Sequence, residues 1–163
     1  MGMRAAYTLI DEGTLDRLVS LSPEVLLSTL EELEEAGAPT VYVDKMWDGL
    51  HFLLTGVSAS APREDDPLSE AVVGVHAFGG EDFVGCTEND ELEPIIEALD
   101  AVDLDEALAR VDFAAFASAR VYPNIWTDDP AQLRAELTDA FTELRRVHQQ
   151  AADAESHLVI SIY

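Results

Sequence analysis

Apolar side chains recur along this chain with two periods, and the switches between them predict an order of elements. Residues 4–10 form a short continuous run that predicts a strand. Asp11 then caps a short helix with Leu15, Leu18 and Val19 turned inward. Ser22-Pro23 marks a second helix start, a hydroxyl N-cap followed by proline at the first helical position. Val25, Leu26, Leu27, Leu30 and Leu33 follow at helical spacing until Gly37 and Pro39 end the pattern. Residues 40–43 are β-branched and short, which predicts another strand. Asp44 opens a helical segment that carries Met46, Trp47, Leu50, Leu53 and Leu54 and stops at Gly56.

Residues 57–70 are polar, contain Pro62 and Pro67, and predict a mobile loop. The run 71–78 reads as a strand, Gly79-Gly80 as a turn, and residues 82–86 as the returning partner. Thr87 or Asn89 caps the next helix, whose Leu92, Ile95, Ile96 and Leu99 point to the core. Asp103 and Glu106 have capping-box spacing before residues 104–110. A further short helix covers 113–121 and is broken by Tyr122-Pro123. Asp129-Pro130 with Gln132 is the strongest helix start in the chain. The stripe Leu133, Leu137, Phe141, Leu144 and Val147 carries that helix to about residue 154, and 158–163 form a terminal strand. Strands at both ends and in the middle, with helices between, predict one α+β domain over 1–163 with a small, mostly antiparallel sheet.

Composition narrows the function classes. The chain has 163 residues, 48% of them hydrophobic, enough for one core. Cys86 is the only cysteine, which excludes an internal disulfide and a multi-cysteine zinc site. With no secretory pattern at the start and no long apolar run, the expected location is the cytoplasm, with no membrane partner. Thirty-three acids against nine bases give a net charge of −24, which argues against nucleic acid and anionic lipid. Lys45 is the only lysine. The charge fits either simple solubility in a salty cytoplasm or a face for a basic protein partner.

Catalytic signatures are absent: no phosphate-cradling GxxxxGK, no GxGxxG after a strand, no GxSxG elbow and no HExxH. Acids at positions 81, 82, 88, 90 and 91 surround Cys86 in sequence and disfavour its thiolate, so Cys86 reads as buried or incidental. No cofactor is implied. The densest reactive cluster is Asp44-Lys45-Met46-Trp47-Asp48-Gly49-Leu50-His51. On one helix, Asp44, Asp48 and His51 would share a face through i, i+4 and i+7 spacing. Two carboxylates and an imidazole there could hold a divalent metal or serve as acid and base, with Lys45 beside them. The simpler reading is structural: Asp44 caps, Lys45 pairs with an acid, Trp47 fills the core, and His51 bonds to backbone. The second cluster, Tyr122-Pro123-Asn124-Ile125-Trp126, could line a ligand pocket together with Trp47, or pack its rings on the core. His76 and His148, each alone in sequence, read as structural or surface residues.

These blocks, taken together, resemble the YfbM-like family of bacterial domains of unknown function. The resemblance rests on Gly2-Met3 with Tyr7, on Asp44-Lys45-x-Trp47-x-x-Leu50-His51-x-Leu53-Leu54-Thr55-Gly56, on Gly79-Gly80, and on Tyr122-Pro123-x-Ile125-Trp126 before the last helix. It spans nearly the whole chain. Residues 57–70 and 81–91 depart most from the pattern. The resemblance implies a compact α+β fold and a cytosolic bacterial protein, and it carries no activity or catalytic residue with it. Two functions therefore stand open. One is a soluble, non-catalytic binding module with an acidic surface. The other is a small-molecule-binding or hydrolase-like enzyme whose pocket joins the Asp44–His51 and Tyr122–Trp126 blocks.

Overall fold

The computed structural model describes residues 2–80 and 82–163. Glu81, one of the acids counted around Cys86, lies outside them. The strands are β1 (Ala5–Ile10), β2 (Thr40–Val43), β3 (His76–Ala77), β4 (Phe83–Thr87) and β5 (His157–Ile162). They form one five-stranded sheet in the order β2-β1-β5-β4-β3, and every neighbouring pair is antiparallel. The two termini thus lie side by side at the centre. All six residues of β1 and all six of β5 are buried, because helices cover both faces of the sheet.

Side-chain alternation separates the faces. Ile10, Val84, Cys86 and Val159 pack under α1 (Glu12–Val19) and α2 (Pro23–Glu35), through Leu15, Leu18, Leu26 and Leu30. Ala5, Tyr7, Leu9, Leu158, Ile160 and Ile162 belong to the larger core on the other face. Around that core lie α3 (Trp47–Thr55), α4 (Pro67–Val73), α5 (Leu92–Asp100), α6 (Leu104–Ala109), α7 (Phe113–Ser118) and α8 (Pro130–Asp153). No helix among the described residues is long and apolar enough to cross a membrane.

Most caps follow the expected chemistry. Asp11, Asp103 and Asp129 each accept a backbone N–H from the first turn of their helix. Before α5, however, Glu88 rather than Thr87 or Asn89 is the cap, closing a reciprocal box with Glu91 over the 3₁₀ turn Asn89–Glu91. The expected strand at 71–78 is corrected: residues 71–73 complete α4, and only His76 and Ala77 pair with β4. Asp66 accepts the Leu68 N–H and Pro67 occupies the first turn, so this start uses the same chemistry as Asp129-Pro130 and overrides the β-branched run. The helix expected at 113–121 ends at Ser118. Val19 and Val25, expected inward, are exposed.

Helix α8 buries His148 completely against the central sheet, near Tyr7. The Tyr7 hydroxyl donates to the Val72 carbonyl at 2.7 Å and so ties β1 to α4. His148 Nδ1 meets the Leu144 carbonyl at 2.8 Å, while Nε2 has no partner among the described residues. Burial depresses the His148 imidazole from 6.5 to about 4. The folded chain therefore refuses a proton that the unfolded chain accepts as pH falls through 6.5. Stability from this group is complete above that value and is lost as pH drops toward about 4. Urea unfolding of wild type and His148→Leu should diverge by about 2 kcal/mol as pH falls from about 7 to about 5. Parallel pH profiles for the two proteins would contradict this.

Candidate functional site: the joint between the α3 and Tyr122–Trp126 blocks

The two blocks singled out in sequence do meet. Trp47 stacks on Tyr122 with ring centroids 5.4 Å apart. Gly49 lies flat against Trp126, where a Cβ would collide with the indole ring. Glycine is thus required by close approach rather than by an unusual turn. Trp126 donates its indole N–H to the Val121 carbonyl at 2.8 Å and packs against Phe113 and Phe116. The backbone of Met3 closes the ring pair: Trp47 Nε1 donates to its carbonyl at 3.3 Å, and its N–H donates to the Tyr122 hydroxyl at 2.6 Å.

Asp48 sits at the centre of this joint, 3% exposed. Its carboxylate accepts the Tyr122 N–H at 2.8 Å, the Ala59 N–H at 2.7 Å and the Ser58 hydroxyl at 2.9 Å. One side chain in the first turn of α3 therefore holds both the loop after that helix and the bend before α8. A buried carboxylate survives only where its lone pairs are filled in this way, and the N-terminal turn of a helix adds a favourable dipole.

His51, one turn on, is fully buried. Its Nδ1 lies 2.7 Å from the Val57 carbonyl, which only accepts, so Nδ1 carries the proton. Nε2 then accepts from the Ser69 hydroxyl at 2.7 Å, and Ser69 Oγ in turn accepts the Arg63 N–H at 3.0 Å. Burial is the leading influence on the imidazole and pushes its pKa below the ordinary value, which favours the neutral ring that this pattern requires. Both nitrogens are occupied, and neither faces solvent.

Asp44 and Lys45 lie elsewhere. Helix α3 begins at Trp47 and Asp44–Met46 form a turn, so the expected common face of Asp44, Asp48 and His51 does not exist. Asp44 is exposed and lines a cleft of about 250 Å³ against α8, with Tyr42, Lys45, Glu136, Asp139 and Glu143. Lys45 Nζ is 3.9 Å from Glu136, a half-exposed pair at long range that contributes little. Metal ligation by Asp44, Asp48 and His51 together is thus excluded by position. Of the rings expected to line a pocket, Trp47 stacks on Tyr122, while Trp126 packs against Gly49, Phe113 and Phe116. Ser58 and Ser69 were missed. Both lie in the stretch expected to be a mobile loop, where Asp48 and His51 bond to residues 57–59 and to Ser69, and 67–70 open α4.

The comparisons with known proteins place this chain in a family. The profile described as Domain of unknown function (DUF1877) matches residues 1–161. The chain belongs to the DUF1877 family. Protein YfbM of Escherichia coli (strain K12) is 33% identical over 167 residues, covering 98% of this chain and 99% of the relative. The crystal structure of a protein of unknown function, YfbM from Escherichia coli, superposes with a TM-score of 0.84 at 29% identity, covering 98% and 99% of the two chains. The family resemblance and the single α+β domain are thereby established.

Substitution at Asp48 reads the joint directly. Asp48→Ala strands two partly buried N–H donors and should cost about 3 kcal/mol in urea unfolding, while Asp48→Asn, which keeps one acceptor oxygen, should cost about 2 kcal/mol. A loss below about 0.5 kcal/mol for either would mean that the carboxylate does not organise these segments.

Proposed function

We propose that this domain is a non-catalytic interaction module that engages a basic protein through its acidic surface. The observation that carries the reading is the open cleft between the β2–α3 turn and α8. Four carboxylates line it, from Asp44, Glu136, Asp139 and Glu143, against one amine from Lys45. On a chain of net charge −24, such a cleft suits an arginine or lysine side chain from a partner. The groups open to a catalytic reading support the same conclusion, since Asp48 and His51 spend their hydrogen bonds on the protein's own backbone and serines. Electrostatic attraction of this kind mainly accelerates encounter and selects the sign of the partner.

The test is binding by a partner recovered from cell extract at low salt and then purified. Its affinity for wild type should fall by at least about tenfold between low and high salt, and by a similar factor for the chain carrying Asp44→Asn, Glu136→Gln, Asp139→Asn and Glu143→Gln. An affinity that moves with neither salt nor these substitutions would overturn the proposal. So would recovery of no partner, together with stability that simply rises with added salt.

A further inference from the structure

We propose a second, separate site: a divalent transition-metal site formed by His76, Glu88 and Glu91. His76 comes from the short edge strand β3, and the two glutamates flank the 3₁₀ turn that leads into α5. One ligand atom from each residue lies within 4.8 Å of the others. His76 Nε2 is 2.9 Å from Glu91 Oε1, 2.9 Å from Glu91 Oε2 and 3.6 Å from Glu88 Oε2. Donors around an ion with metal–ligand bonds of about 2.1 Å sit roughly 3.0–3.5 Å apart, so the spacing already suits one.

The hydrogen-bond count favours a cation over an ion pair. Nε2 can present a single proton, yet three carboxylate oxygens converge on it. A divalent ion satisfies the nitrogen and both carboxylates at once. The carboxylates are oriented before any ion arrives, because the capping box fixes them: Glu91 Oε1 accepts the Glu88 N–H at 2.8 Å. Holding two carboxylates together costs repulsion that a dication would remove. A ligand-holding shell of this kind usually includes such outer bonds.

An independent feature lies beside the cluster. A cleft of about 280 Å³ is lined by His76, Glu88 and the free, buried thiol of Cys86, the direct cross-strand partner of His76. Leu15, Val19 and Phe78 form its apolar wall. The cleft leaves open positions on the ion, where water or a small ligand could bind. An imidazole with two carboxylates selects zinc, manganese or iron over calcium and magnesium, which prefer oxygen alone. The sequence concealed this set because His76 stands 12 and 15 positions from the glutamates and looked solitary.

The experiment is calorimetric titration of the chelator-stripped full chain with zinc chloride, and separately with calcium chloride. Wild type should bind one zinc ion per chain, more tightly than calcium. His76→Ala and Glu88→Gln should each weaken zinc binding by at least about tenfold. Both positions are half exposed, and the glutamine of Glu88→Gln keeps an oxygen for the capping bond, so without metal the variants should unfold within a few degrees of wild type. Equal zinc affinity in wild type and His76→Ala, or indistinguishable binding of zinc and calcium, would assign the ions to the diffuse acidic surface and overturn the site. The outcome is independent of the cleft at Asp44, which these variants leave intact.

Discussion

The Asp48 carboxylate is the interaction on which the rest of this half of the molecule is hung. It is buried, it is anionic chemistry in an apolar setting, and it is tolerable only because protein donors surround it. The donors come from two separate stretches of chain. Ser58 and Ala59 bring the loop after α3 down onto the helix, and Tyr122 brings in the bend before α8. Once that loop lies down, Val57 and Ser69 reach the two nitrogens of His51. Ser69 is in α4, and α4 is tied to the central strand by the Tyr7 hydroxyl. A single buried charge thereby connects a surface loop, two helices and the sheet.

This arrangement separates the chemistry inside the protein from the chemistry outside it. Inside, the reactive-looking residues of the α3 block work as connectors, with their donors and acceptors matched to the backbone. Outside, two acidic features remain open to solvent. One is the cleft of carboxylates along α8, the surface we propose for a basic partner. The other is the imidazole and carboxylate set on the β3 edge, which suits a metal ion. They lie on different elements and can be tested separately.

Much of the fold was legible because the local signals agreed with the global one. Ser22-Pro23 and Asp129-Pro130 announced their helices, and the terminal apolar runs announced the two central strands. The error at 71–78 arose where two local signals conflicted. Asp66-Pro67 carried the same helix-start chemistry as Asp129-Pro130, but the run of alanine and valine behind it read as a strand. The site was legible only in part. The pocket-enzyme reading required the Trp47 and Tyr122 blocks to meet, but nothing in the sequence showed what joins them: Asp48 and Gly49 were not among the residues that carried the resemblance. Helical periodicity placed Asp44 with Asp48 and His51, and three non-helical residues before Trp47 removed it. The His76 cluster depends on a strand pairing, which no spacing within a short window can reveal.

The central claim is that Asp48 locks the 58–59 loop and the Tyr122 bend into the globally cooperative unit. Native-state hydrogen exchange of the Ala59 and Tyr122 amides, whose only acceptor among the described residues is that carboxylate, measures this most directly. The account predicts protection at both amides close to that of the β1 and β5 amides, so that they open with global unfolding. Exchange of either amide at the rate of an unprotected surface loop would contradict it.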